Sequence, residues 1–334
     1  RFVAGRTVPY PPGLADRVRA AAGIRAAAGA SDLDREAGAV FAEAALGVCR
    51  DAGVRPADVE AIGSHGQTVT HVPRVLSVQL GDASVIAART GRPVVSDFRA
   101  ADIAEGGEGA PLAPVADWWT MRRRGETVLC LNLGGIANLS VVPWEREGVK
   151  GFDCGPANAL LDALVRIRLG GERAYDRDGA LSRAGRVRDD LVALWCDDPF
   201  LRRDPPKSTG TDRYGEGWVR AMLRATVGVP DADIAASLCV FTALCVADAI
   251  DRWCTVSPAP RRLVVSGGGV HNPALMGALR TALPEMEVVP AGDPDFREAV
   301  LFALLAWAHV HGVPGNLPAV TGARRAVVLG RRTP

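Results

Sequence analysis

Apolar and polar positions recur with two different periods along this chain, and the changes of period mark its elements. From 35 to 52 the apolar residues Ala39, Val40, Ala44, Leu46 and Val48 fall at helical spacing. Residues 59–62 read as a short strand, 76–80 alternate with strand period, and 82–90 read as a helix. A buried strand at 93–96 runs into Asp97-Phe98-Arg99, and the Gly-rich 105–109 is a loop. Two apolar runs, 127–133 and 136–142, flank Gly134-Gly135 and predict a β-hairpin. A strand at 149–152 is followed by Gly155-Pro156, read as a turn with the proline in the first turn of a helix over 157–169. Further on come a strand at 262–266, a turn at Gly267-Gly268-Gly269, and a helix opened by Asn272-Pro273. A strand at 287–290 and a helix over 296–310 complete the pattern; the Pro- and Gly-rich tail from Gly312 is expected to run back over the surface.

A hairpin followed by strand–helix units suggests an α/β protein of two domains, 1–122 and 123–312, with 313–334 packing back on the first. The apolar stretches 235–250 and 299–310 are too short or too interrupted to span a bilayer and read as buried helices. With 39 Lys and Arg against 38 Asp and Glu, no basic excess argues for nucleic acid and no charge block for a tail. Only Lys150 and Lys207 are lysines. Seven cysteines with no Cys-x-x-Cys pair fit reduced, mostly buried thiols in a cytosolic protein.

The chemistry concentrates at strand ends. Asp153 lies at the end of a strand and before a helix, where a carboxylate serves either as a general base in a cleft or, with Asn158, as a helix cap. The Gly267–Gly269 turn before the Asn272 helix lets backbone approach a ligand and offers N–H groups to an anion or nucleoside; an ordinary tight turn is the other reading. It is not a Walker A loop, whose spacing and Lys-Ser/Thr are missing. Gly134-Gly135 could admit a phosphate, and Lys207-Ser208-Thr209 is either a phosphate-side loop or a solvated turn. His65, Gln67, Thr68 and His71 follow one strand, and Asp97, Arg99 and Asp102 another. Such a set suits a polyhydroxylated ligand with a carboxylate, which Arg99 would take bidentately. No carboxylate or cysteine spacing accompanies the two histidines, so zinc, or any bound metal held by them, is not expected. Glu298 either complements its helix dipole or faces a cleft.

These segments, in order, resemble the anhydro-N-acetylmuramic acid kinase family over nearly the whole chain. The resemblance lies in 63–69 (GSHGQTV), Asp97-Phe98-Arg99 with Asp102-Ile103, 106–112, 131–138 (LNLGGIAN), 151–158 (GFDCGPAN), 266–269, Glu298-Ala299 and 314–318 (PGNLP). It implies a two-domain actin-like ATPase (ribonuclease H-like) fold with an interdomain cleft, a cytoplasmic homodimer, and use of ATP with Mg²⁺. It also implies a reaction in which water opens the 1,6-anhydro bridge while O6 is phosphorylated, with Asp153 as the base. Thr68, Arg99 and Glu298 match positions that contact the sugar, and His65, Gln67 and Asp102, read from their loops, are expected to bind it with them. Gly134, Gly135, Asn138, Gly155, Asn158, Lys207, Ser208, Thr209, Gly267, Gly268, Gly269 and Asn272 would line the nucleotide side. Glu108 stands where the family has Gln, and Asp117 where it tends to have His. The Ser/Gly/Thr-rich phosphate loop with which the family begins has no counterpart in the first residues here. Either the sequence is a fragment of a longer protein or the chain naturally lacks a complete phosphate site; the alternative expectation is then a catalytically silent sugar-binding relative without that loop.

Overall fold

A computed structural model describes residues 2–21, 30–171 and 173–334. Its ten strands are β1 (Ile62–Gly63), β2 (Gln67–Val72), β3 (Leu76–Leu80), β4 (Val94–Ser96), β5 (Val128–Leu133), β6 (Ile136–Val142), β7 (Lys150–Pro156), β8 (Arg262–Ser266), β9 (Glu287–Pro290) and β10 (Arg331–Thr333). The chain divides into two units, one of Arg1–Ala116 with Glu298–Pro334 and one of Asp117–Arg297. The helix Arg297–Val310, placed in the second domain by its position in the sequence, thus falls almost wholly in the first unit.

The second unit is built on a five-stranded sheet of order β7-β6-β5-β8-β9. β5, β6 and β7 are antiparallel neighbours, whereas β8 and β9 run parallel to β5. That order and those directions are those of the ribonuclease H-like core. The central strand β5 is apolar at almost every position because both of its faces are covered. The 23-residue helix Asp231–Trp253 packs on the sheet through Ile234, Leu238, Phe241, Cys245 and Ala249. It is long and apolar enough to cross a membrane by length and composition, longer than the apolar run in the sequence suggested, and two thirds (67%) of its most apolar window is buried in this unit. Asp117 and Arg297, the first and last residues of the unit, form a partly buried ion pair, with Arg297 Nε 3.0 Å from Asp117 Oδ1. Ser140 Oγ donates to the same carboxylate at 2.6 Å.

The first unit carries a smaller sheet, β1-β4-β10, and a separate hairpin of β2 and β3. The strand expected at 59–62 is reduced to Ile62–Gly63, because Pro56 starts a 3-10 turn that ends with the Val59 N–H on the Pro56 carbonyl. The helix Ala83–Thr90 opens on Asp82, whose Oδ1 accepts from the Ser84 N–H at 2.7 Å. The C-terminal tail does not lie over the surface. β10 pairs antiparallel with β4, and Asn316, Leu317 and Leu329 are buried. All seven cysteines are free, five of them buried.

Candidate active site

Asp153 is not a helix cap. β7 continues through Pro156, so the proline ends a strand instead of opening a helix, and the helix begins only at Asn158. Its first N–H groups are taken by the hairpin turn: Gly135 O accepts from Ala157 and Ala159, and Gly134 O from Asn158. With that end satisfied by backbone, neither Asp153 nor Asn158 is needed there; the Asn158 amide donates to Leu133 O instead.

The hairpin also aims Asp153. The register between β6 and β7 shifts so that Ala137 faces Gly155 and Asn138 faces Asp153, leaving Cys154 as the extra residue of a bulge. Directly opposed, Asn138 donates to Asp153 Oδ1 at 2.9 Å, and the Thr209 N–H donates to Oδ2 at 2.8 Å. The Asp153 N–H donates to Lys207 O at 3.1 Å, so the segment 207–209 runs along the open side of β7. Burial pushes the Asp153 carboxyl above the usual carboxylate range; the hydrogen bonds from Asn138 and Thr209 and the charge of Lys207 act against that rise. The Lys207 side chain turns away from any phosphate role: it is buried, and its ammonium donates to Leu201 O at 2.9 Å. Ser208 is exposed.

A cavity of about 560 Å³ opens in the same unit, lined among others by Asn158, Asp162, Arg166, Asp176, Gly268 and Asn272. Its volume is that of a small-molecule site. Gly267, at φ 84°, lies against β5: a Cβ there would come 2.8 Å from both Asn132 Oδ1 and Leu133 O. Asn272 both lines the cavity and caps the helix Pro273–Ala282, its Oδ1 accepting from Ala274 and Leu275. Two of the N–H groups at that helix N-terminus, expected to be offered to an anion or nucleoside, are therefore occupied. Asp162, Arg166, Asp176 and His271 were missed by sequence reasoning. Burial, reinforced by Asp176 and opposed by Arg166, raises the Asp162 carboxyl to about 6. The hint was available in Asp162 and Arg166 at i,i+4, but that spacing reads as an ordinary solvated ion pair.

In the first unit, Arg99 Nε donates to His65 Nε2 at 3.0 Å and Nη1 donates to Gly109 O at 2.7 Å. The His65 Nδ1–H donates to the Gly66 carbonyl at 3.0 Å, which fixes the tautomer and leaves Nε2 as acceptor. Burial, then the neighbouring Arg99 charge, lowers His65 to about 4, so the ring is neutral at physiological pH. Two of the guanidinium's five donors are thus engaged by protein, and the rest can meet a carboxylate. Glu298, exposed in the first turn of its helix, counters the effect of burial on Arg99. Thr68 accepts from Gln79 at 3.4 Å, and Gln67 is exposed.

Asp102 is not a ligand contact. It is fully buried and accepts from the Gly109 N–H at 2.8 Å, Asn316 Nδ2 at 2.7 Å and Thr321 Oγ1 at 2.7 Å. The carboxylate fastens the Gly-rich loop to the C-terminal tail, and a Cβ on Gly107 would fall 2.2 Å from its Oδ2. Among the described residues, no three His, Cys, Asp or Glu side chains converge as a metal cage would require.

The family model for anhydro-N-acetylmuramic acid kinase matches residues 1–334. The anhydro-N-acetylmuramic acid kinase of Gloeobacter violaceus is 40% identical over 97% of this chain and 88% of its own length. That of Xanthomonas axonopodis pv. citri is 42% identical over 98% and 89%, and that of Shewanella amazonensis is 40% identical over 90% and 82%. Among solved structures, a ROK family glucokinase from Streptomyces griseus, in complex with glucose and AMPPNP, aligns over 80% of this chain and 88% of its own, at 17% identity and TM-score 0.38. Such a likeness is too distant to carry an assignment. Identity of 40% or more along almost the whole length is not distant: the chain belongs to the anhydro-N-acetylmuramic acid kinase family.

Proposed function

We propose that this chain transfers the γ-phosphoryl group of ATP to 1,6-anhydro-N-acetylmuramic acid while water opens the anhydro bridge, giving N-acetylmuramic acid 6-phosphate for cell-wall recycling. The observation that supports it most is the Asp153 carboxylate, held by Asn138 and Thr209 on a strand bulge in a chain of this family. Asp153 takes a proton from water, whose oxygen bonds to the anomeric carbon. The bond from that carbon to O6 breaks, and O6 bonds to the γ-phosphorus as ADP leaves. An acetal oxygen is a poor leaving group unless its growing charge is captured, and the phosphoryl group captures it. Burial favours this role for Asp153, because a carboxyl with raised proton affinity is the stronger base.

The cavity lined by Asn158, Asp162, Gly268 and Asn272 suits the nucleoside of ATP, with Asp162 offering a polar contact. In the first unit, Arg99 would take the sugar's carboxylate, while Thr68, Glu298 and His65 would meet its hydroxyls. Mg²⁺ would offset charge on the phosphates, whose oxygens are ligands of the kind it prefers. We extend to this chain the cytoplasmic setting and homodimeric state expected from the resemblance. The test is to incubate the protein with ATP, Mg²⁺ and the anhydro sugar and follow products by mass spectrometry. The 6-phosphate of the opened sugar is expected in step with ADP. ADP without sugar phosphate, or a phosphate on an intact anhydro ring, would contradict the proposal.

A further inference from the structure

Lys207 is one of only two lysines among 39 Lys and Arg residues, and it is 8% exposed. Its ammonium sits 3.8 Å from the centre of the Trp253 ring and 5.2 Å from that of Phe200, with Leu201 O at 2.9 Å. A buried ammonium costs several kcal/mol unless its surroundings are arranged for it. Two aromatic rings and a carbonyl are such an arrangement, yet an apolar side chain of similar length would fill the cage at no desolvation cost. The cage is also tied to the base from both directions. Trp253 packs edge-on against Phe152, the residue before Asp153, at 5.9 Å. The main chain of Lys207 accepts from the Asp153 N–H, and two residues later the Thr209 N–H reaches Asp153 Oδ2.

We infer that Lys207 is a positioning residue for Asp153: its caged ammonium anchors the segment that delivers the Thr209 N–H, and its positive charge acts on the carboxylate. This rests on the reading of Asp153 as the base. The groups facing Asp153 are Asn138 from β6, Cys154 beside it on β7, and Lys207 and Thr209 from the covering segment. Those facing Lys207 are Cys154 and, from the helix Asp231–Trp253, Cys245, Asp248 and Arg252. Burial drives both thiols well above their usual range, so they stay neutral. Asp248 and Arg252 are paired with each other at 2.7 Å and largely offset one another. Asp204, bonded to Trp253 Nε1 at 3.3 Å, and Arg203 and Arg213 over Phe200 border the cage; burial lowers the Lys207 ammonium below its ordinary value, and its charge acts against the rise that burial imposes on Asp153.

The test is the pH dependence of kcat for the full chain with ATP and the anhydro sugar, in the wild type, Lys207→Met and Lys207→Arg. The acid limb reports protonation of the base. In Lys207→Met it is expected to move up by about half a pH unit or more, so that activity falls several-fold more on the acid side than on the alkaline side. The KM for ATP should not change, and Lys207→Arg should restore the limb toward its wild-type position. If Lys207→Met does not fold, Lys207→Gln, which keeps a donor for Leu201 O, reads the same shift. An acid limb unmoved in the neutral variants, or moved equally by Lys207→Arg, would overturn the inference. Asp153→Asn separates the two readings: if it retains turnover both fall, whereas if it is inactive and Lys207→Met keeps the wild-type limb, only the role of Lys207 falls.

Discussion

Asp102 gathers donors from the Gly-rich loop and from two points of the C-terminal tail, all on a carboxylate with no exposed surface. Removing it opens a void and takes the side-chain acceptor from the Gly109 N–H, while Asn316 keeps Arg325 O at 3.2 Å and Thr321 keeps Leu317 O at 3.4 Å; a buried donor left without its acceptor is costly. Asp102→Ala is expected to lose about 2–4 kcal/mol of stability, read as a lower midpoint in urea. Sugar affinity should weaken only through the loosened Gly109 carbonyl that Arg99 holds. A variant with wild-type stability and abolished sugar binding would restore Asp102 to the ligand contacts that its place in the motif suggested. The motif could not distinguish these roles, because Asn316 and Thr321 lie more than two hundred residues away in sequence. Arg99 and His65 were legible as ligand-type side chains on neighbouring loops, although their mutual bond was not.

At the scale of elements, the hairpin at Gly134-Gly135 was the most readable feature, since two apolar runs around a glycine pair have few other solutions. The bulge opposite Asn138 was not readable: one unpaired residue in a ladder leaves no periodic trace once the strand runs into Gly155-Pro156. The helix Asn158–Arg168 shows a similar limit. Its apolar face was evident, but Asp162 read as solvent-facing, whereas residues 174–178 and 268–272 close around it and leave Arg166 exposed. With the Asp162 carboxyl raised to about 6, the folded state holds a proton that the unfolded chain has released between the ordinary 3.8 and that value. Folding therefore binds protons in this window, and the contribution of Asp162 to stability declines as pH rises through it. Asp162→Asn is expected to raise the melting temperature near neutral pH and to change it little below about pH 4. An equal gain at both pH values would show that the carboxylate is not destabilised by its surroundings.

Across the whole molecule, the near-cancelled charge gave no argument for a nucleic-acid partner and revealed nothing of the chemistry. The ordered series of short motifs supplied the family, and a match along residues 1–334 agrees with it. Sequence reasoning named segments whose members the structure places in different surroundings. Within the second unit the structure brings Asn138, Asp153 and Thr209 together, turns the Lys207 ammonium into an aromatic cage, and gathers a cavity around Asn158, Gly268 and Asn272. The most direct test of the account compares sugar binding with turnover in Asp153→Asn, an isosteric change that keeps a partner for the Thr209 N–H and removes the base. Calorimetry should find sugar affinity within a few-fold of wild type, while formation of the 6-phosphate falls by about 10²–10⁴-fold. Turnover close to wild type in that variant would mean that the water is activated by some other group, and the central claim would be wrong.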